Sequence, residues 1–244
     1  MQVFYFSSTG NSLYVAKRIA EAFNGALEYI PKFRGDIQEE DMLVIVSPIY
    51  SFGLPVHTFA FIQGLKVSAP VYVVLTYGGM VLGADRLTYD LCRETGLDIR
   101  AVFTIKMVEN FTLQFTVPGF FSKATLKAAP RRVDRIIAKI RQHEQFEPKA
   151  TRCRRNTYET NKASWYKIAN DFTVTADCVR CGKCVALCPS GNIRLTDQGV
   201  AFLTHCVACL GCYHRCPQKA IRYQGRKKKD RYFCPLISES EMAQ

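Results

Sequence analysis

The sequence predicts an α/β protein: a five-stranded doubly wound parallel sheet followed by a small α+β domain. Three observations support this prediction. Apolar runs alternate with helical patterns over residues 1–145, which indicates a parallel sheet covered by helices. The central runs are apolar throughout, as in strands that are buried on both faces. Eight of the eleven cysteines fall between Cys178 and Cys216, which sets the C-terminal part of the chain apart.

Short apolar runs and helically spaced apolar residues predict the elements of the first domain. The strands are expected at Val3–Phe6, Ala26–Ile30, Met42–Val46, Val71–Thr76 and Asp98–Met107. The helices are expected at Leu13–Phe23, Pro55–Leu65, Asp85–Glu94 and Pro130–His143. Only residues 31–41 separate the second and third strands, too few for a good helix, so one face of the sheet is expected to be partly bare.

Composition divides the chain into four predicted segments. Residues 1–145 form the α/β domain, and residues 146–170 form a linker that is first basic and then aromatic. Residues 171–226 form the cysteine-rich domain, and residues 227–244 form a basic tail. We expect Trp165 and Tyr166 in the linker to hold the second domain against the first.

Two cysteine runs repeat 28 residues apart, each with the spacing C-x2-C-x2-C-x3-C-P. The first run is Cys178, Cys181, Cys184 and Cys188, and the second is Cys206, Cys209, Cys212 and Cys216. Crowded cysteines at ligand spacing favour metal over disulfides in a reducing compartment. The alternative is a pair of zinc sites, but zinc would leave the third cysteine of each run and its Cys-Pro unused.

The runs resemble those of bacterial two-cluster ferredoxins, which carry two [4Fe-4S] clusters. In that family the fourth cysteine of each run ligates the other cluster. The resemblance therefore implies one cluster on Cys178, Cys181, Cys184 and Cys216, and a second on Cys206, Cys209, Cys212 and Cys188.

Three further cysteines lie outside the runs. Cys92 lies on the apolar face of a predicted helix and is expected to be a buried thiol. Cys153 and Cys234 lie in basic segments with no partner at ligand spacing, so they are interpreted as incidental.

A polar loop joins the first strand to the first helix. It consists of Ser7, Ser8, Thr9, Gly10, Asn11 and Ser12. Backbone N–H groups at a helix N-terminus attract an anion, and short hydroxyl side chains complete the shell around phosphate oxygens. The Gly-Lys-Ser/Thr of a P-loop and the G-x-G-x-x-G of dinucleotide sites are both absent. The loop resembles the phosphate loop of flavodoxins, T/S-x-T-G-x-T, which implies FMN.

Two more loops follow strands at the same predicted edge of the sheet, where flavodoxin-like sheets bind flavin. Both contain aromatic residues and glycines that suit a flavin ring. They are Pro48, Ile49, Tyr50, Ser51, Phe52 and Gly53 after the third strand, and Thr76, Tyr77, Gly78 and Gly79 after the fourth. The same aromatic residues also occur in ordinary surface loops.

The combination resembles prokaryotic flavodoxin–ferredoxin fusion proteins, common in anaerobes, with the matching stretch P-I-Y-S-F-G-L-P beginning at Pro48. That resemblance implies an electron-transfer protein that joins two [4Fe-4S] clusters to FMN. The alternative is a reductase that passes electrons from the flavin to a quinone, a flavin or another small molecule, with Asn110–Pro118 as a lid. No nucleophile–base set is apparent, so any catalysis would depend on the cofactors.

Charge is unevenly distributed along the chain. The net charge is +12, with −2 in residues 1–100 and +14 in residues 101–244. A basic half suits redox partner proteins with acidic docking surfaces. Nucleic-acid binding by the clusters Arg152–Arg155 and Arg226–Lys229 is the lesser alternative, and no DNA is expected. No run is long enough for a transmembrane segment, and no secretory signal is present, so a cytoplasmic location is expected.

Overall fold

The computed structural model describes residues 1–37, 42–115, 119–149, 155–224 and 231–243. Five parallel strands form a sheet in the order β2-β1-β3-β4-β5. They are β1 Gln2–Tyr5, β2 Ala26–Tyr29, β3 Leu43–Pro48, β4 Val71–Tyr77 and β5 Ile99–Lys106. This is the flavodoxin-like order, so the predicted fold class is confirmed.

Alternate residues of each strand point into two apolar cores, one on each face of the sheet. The helices are α1 Asn11–Phe23, α2 Val56–Gly64, α3 Ala84–Glu94 and α4 Gly119–Arg141. Residues of α1 and α4 share one core with Val44 and Val46. Residues of α2 and α3 share the other core with Ile45 and Val73. Cys92 is fully buried there, as predicted.

Two expectations about this sheet were wrong. Helix α4 begins at Gly119 and contains Pro130, whereas the sequence predicted a helix that starts at Pro130. The strong helix formers that precede this proline extend the helix across it. The link after β2 is a short 3-10 helix, Ile30–Lys32. Phe33 follows it and packs edge-on against Phe4 at 5.0 Å, so this part of the sheet face is covered.

The segment between the domains is ordered into α5 Arg155–Ser164 and a 3-10 helix, Trp165–Asp171. Tyr158 is buried, and its hydroxyl donates to the Leu54 carbonyl at 2.8 Å. Trp165 is buried against Tyr50, whereas Tyr166 is exposed. Only Trp165 therefore has the packing role that was expected of both residues.

The cysteine-rich domain consists of two antiparallel strand pairs and two short helices. Strand β6 Phe172–Val174 pairs with β9 Ile221–Tyr223, and β7 Ile193–Thr196 pairs with β8 Gly199–Phe202. The helices are α6 Lys183–Ala186 and α7 Gly211–Arg215. Among the described residues, no helix is long and apolar enough to cross a bilayer.

Candidate functional site

The polar loop after β1 leads directly into α1. Gly10 has a φ of +94° and stands at the N-cap, and its N–H donates to Ser7 Oγ at 3.1 Å. No side chain caps α1 by a hydrogen bond, and its first turn has no acidic residue. Since the first N–H groups of a helix have no intrahelical acceptor, this end of α1 suits an anion.

A cleft opens beside this loop at the carboxyl edge of the sheet. Ser12 Oγ bonds Thr76 Oγ1 at 2.8 Å, and Asn11 Nδ2 donates to the Val108 carbonyl at 2.9 Å. These bonds tie the loop to the ends of β4 and β5. The predicted residues that line the cleft are Ser7, Ser8, Thr9, Asn11, Ser12, Pro48, Ile49, Thr76, Tyr77 and Gly78.

The other predicted loop residues do not line this cleft. Tyr50 is partly buried and packs edge-on against Trp165, and its hydroxyl lies 3.3 Å from Ser8 Oγ. Gly53 packs so closely on Tyr158 that a Cβ would lie 2.4 Å from its ring. The remaining predicted residues outside the lining are Gly10, Ser51, Phe52 and Gly79. We propose that these six residues contribute to cofactor binding only by shaping the loops that carry the lining residues.

Two residues that line the cleft were not predicted from the sequence, and a third was assigned to a lid. Val108 and Glu109 come shortly after the end of β5. Their position could have suggested a role, because ligands bind at the carboxyl ends of parallel strands. Asn110, the first residue of the proposed lid, lines the cleft and donates to Thr9 Oγ1 at 2.9 Å. Within the same segment Leu113 is buried in the core of the cysteine-rich domain. Residues 116–118 lie outside the described residues.

One predicted set of cysteines lines a single cavity. It consists of Cys178, Cys181, Cys184 and Cys216. The cavity therefore brings the fourth cysteine of the second run to the first three of the first run. This is the exchange that the resemblance to two-cluster ferredoxins implies.

The thiols of the other set also lie near one another. Burial raises the pKa of Cys209 to about 12, and the neighbouring thiols Cys206 and Cys188 contribute to the rise. Burial also raises the pKa of Cys212 well above its usual value, with Cys209, Cys206 and Cys188 adding to the effect. Buried thiolates need a cation to share their charge. That these eight residues are the iron ligands stays a prediction.

The 28-residue repeat extends to the backbone. Arg180 and Ala208 have φ values of 54° each, and Gly191 and Lys219 have values of 62° and 52°. The fourth cysteines also match, because the Asn192 N–H donates to Cys188 Sγ at 3.1 Å and the Ala220 N–H to Cys216 Sγ at 3.3 Å. Hydrogen bonds to sulfur are one determinant of cluster reduction potential.

The second cysteine run packs against the cleft. Val207 and Cys209 belong to the apolar core on one face of the α/β sheet. A Cβ on Gly211 would lie 3.6 Å from the Ser8 side chain. His214 Nε2 donates to the Asn110 carbonyl at 2.7 Å, and its Nδ1 accepts from the backbone of residue 232 at 3.1 Å. Helix α7 is therefore joined to a wall of the cleft.

The C-terminal segment, residues 231–243, binds both domains. The Tyr232 hydroxyl donates to Asn11 Oδ1 at 2.6 Å, and the Cys234 N–H donates to the Thr9 carbonyl at 2.8 Å. Arg231 donates to the Ile221 carbonyl at 2.6 Å and lies over the Tyr213 ring. Cys234, interpreted as incidental, is fully buried in this contact. Cys153 and most of both basic clusters lie outside the described residues.

Comparison with known proteins identifies the family of the cysteine-rich part of the chain. Residues 170–217 match the 4Fe-4S dicluster domain family. The C-terminal domain is a two-cluster [4Fe-4S] ferredoxin domain. A stretch of 65 residues is 34% identical to the polyferredoxin protein MvhB of Methanothermus fervidus, covering 24% of this chain and 16% of that protein. The chain thus spans about one sixth of the length of this curated relative.

Solved flavoproteins resemble the α/β domain at low identity. A putative flavoprotein from Bacteroides uniformis is 20% identical, with 46% of this chain and 94% of that chain covered and a TM-score of 0.38. An archaeal flavodoxin is 15% identical, with 57% and 97% covered and a TM-score of 0.39. A flavoprotein from Lactobacillus acidophilus, solved with FMN, is 15% identical, with 42% and 91% covered and a TM-score of 0.38. The fold is assigned from the strand order of the sheet and not from the likeness to these solved structures.

Proposed function

We propose that the protein transfers electrons between its two [4Fe-4S] clusters and an FMN bound in the cleft. The residues present fit the cofactor. The uncapped N-terminus of α1, with Ser7, Thr9 and Ser12 beside it, suits the phosphate. Gly78 lets the β4 loop pack closely on Glu109 in the cleft wall, since a Cβ would lie 2.4 Å from the Glu109 Cα. FMN exchanges one or two electrons, whereas each cluster exchanges one.

The observation that carries the proposal is the packing of the second cysteine run on the cleft. Cys209 lies in the same apolar core as Tyr50 and Phe6, and Gly211 lies against Ser8. The His214–Asn110 hydrogen bond fixes α7 against the cleft wall. We therefore assign the cluster of Cys206, Cys209, Cys212 and Cys188 as the one that exchanges electrons with the flavin.

The first cysteine run faces solvent and suits a protein partner. Cys181 is exposed, and so are the apolar side chains of Val179 and Leu195. Arg180 and Arg194 are exposed on the same part of the domain. An apolar centre with basic neighbours is complementary to an acidic docking surface, so we assign this run as the contact for a redox partner.

The proposal is tested on protein purified without oxygen. We expect about eight irons, eight acid-labile sulfides and one FMN per chain. A sub-stoichiometric dose of dithionite, followed by stopped-flow spectroscopy, then measures how fast electrons pass from the clusters to the flavin. A rate independent of protein concentration is expected, because covalent fusion makes the transfer intramolecular. A rate proportional to concentration, or protein that retains no flavin, would contradict the proposal.

A further inference from the structure

A second and larger space lies between the two domains. It has a cavity volume of about 380 Å³ and shares Ser7 and Ser8 with the cleft. Tyr5 and Tyr29, at the carboxyl ends of β1 and β2, form one wall. None of the eight cysteines lines it, so it is distinct from the cluster positions.

The wall opposite Tyr5 and Tyr29 belongs to the ferredoxin domain and lies beside the second cluster. Leu187 and Pro189, which flank Cys188, line the space, and so does Gly211, which precedes Cys212. A molecule in this space would therefore lie beside a redox centre.

The charges that line the space favour an anion. Lys32 comes from the α/β domain, and Lys183 and Arg215 come from the ferredoxin domain. Glu239 is shared, at 2.8 Å from the Arg215 guanidinium and 3.0 Å from Lys183 Nζ. Three cations against one carboxylate give a net charge of +2. Such a cleft concentrates anionic ligands, and apolar side chains beside the cations suit a planar ring.

We propose that this interdomain space binds a planar quinone- or flavin-like electron acceptor that carries an anionic group, and that the adjacent cluster reduces it. The inference rests on the proposed ligation of that cluster. Each acceptor takes two electrons, one at a time, from clusters recharged by a low-potential protein donor. Two protons from solvent complete its reduction to the hydroquinone.

The test compares a naphthoquinone with its sulfonated derivative in single-turnover oxidation of the loaded protein. The protein is first reduced and then freed of excess reductant. Lys32→Glu should raise the half-saturating concentration of the sulfonated acceptor about tenfold and leave that of the neutral one nearly unchanged. Lys66→Glu changes another exposed lysine, one that does not line the space, and it should alter neither value. Comparing each acceptor between variant and unmodified protein cancels the difference in reduction potential between the two acceptors.

A binding measurement gives a second result that does not depend on turnover. Equilibrium dialysis of the sulfonated quinone against oxidised, FMN-saturated protein should show one site, which Lys32→Glu weakens. Equal effects on both acceptors, no saturation, or no oxidation by either would overturn the proposal. Cluster-to-flavin transfer, measured in the same preparation before any acceptor is added, tests the relay separately.

Discussion

The two cysteine runs have the same spacing and the same backbone conformations but different surroundings. Val179 is 61% exposed, whereas Val207, its equivalent 28 residues later, is 7% exposed. Cys181 faces solvent, whereas Cys209 is buried against the α/β domain. One run thus belongs to the protein surface and the other to an interface.

We propose that this difference gives the two predicted cluster sites different roles. Burial and hydrogen bonding tune reduction potentials, so two clusters with the same ligands differ when their surroundings differ. The exposed run is accessible to a partner, and the buried run adjoins the cleft and the interdomain space. Four matched pairs of variants test the comparison, from the largest expected effect to the smallest.

The largest difference is expected between Cys209→Ala and Cys181→Ala. Each variant should lose one cluster and retain about four irons. Cys209→Ala removes the cluster beside the cleft and should slow internal flavin reduction about a hundredfold or more, because the intramolecular donor is lost. Cys181→Ala should leave this rate nearly unchanged. Stopped-flow reduction with iron analysis measures both, and equal slowing would show that the exposed cluster lies on the route.

A second pair tests the burial difference. Val207→Ala should cost about 1.5 kcal/mol, because two buried carbons are removed from the interface. That loss corresponds to a melting temperature lower by about 3 to 6 °C for a chain of this size. Val179→Ala should change stability by less than about 0.5 kcal/mol. Anaerobic thermal unfolding of the loaded proteins measures the pair, and similar losses at both positions would refute the interface.

The third pair tests whether the C-terminal segment supports the cleft. Tyr232→Phe removes only the hydroxyl that donates to Asn11. A lost hydrogen bond of about 1 kcal/mol should weaken FMN binding about fivefold. Tyr166→Phe, at an exposed ring, is the control and should have no effect. Flavin fluorescence titration gives both dissociation constants, and unchanged binding in Tyr232→Phe would mean that the segment does not position the loop.

The smallest effect is expected at an equivalent position of the two cysteine runs where both have a left-handed backbone conformation. Lys219 has a φ of 52° where the first run has Gly191. Lys219→Gly should stabilise the protein by about 0.5 to 1 kcal/mol. The substitution relieves a left-handed backbone strain of about 1–2 kcal/mol, but glycine loses more backbone entropy on folding, which offsets part of this gain. Gly191→Lys should destabilise it to a similar extent. Anaerobic denaturant titration is the measurement, and a loss of stability in Lys219→Gly would mean that its side chain contributes contacts.

Local patterns were enough to predict much of the molecule. All five strands lie within two residues of their expected bounds at either end, because each is a short apolar run. The sequence prediction started helix α4 too late, at Pro130, because a proline usually marks the start of a helix. His214 and Tyr232 were not identified and Cys234 was interpreted as incidental, since nothing in their local sequence distinguishes a buried contact from a surface one.

The sequence by itself determined the fold class, the spacing of the two cysteine runs and the loop after β1, because each depends on a pattern within a short segment. Only the tertiary structure decided which cysteine run meets the α/β domain and where the C-terminal segment lies. The runs share their spacing, so their difference arises from residues far away in the chain, such as Ser8, Tyr50 and Asn110. Contacts across such separations depend on how whole surfaces fit, which no local pattern encodes.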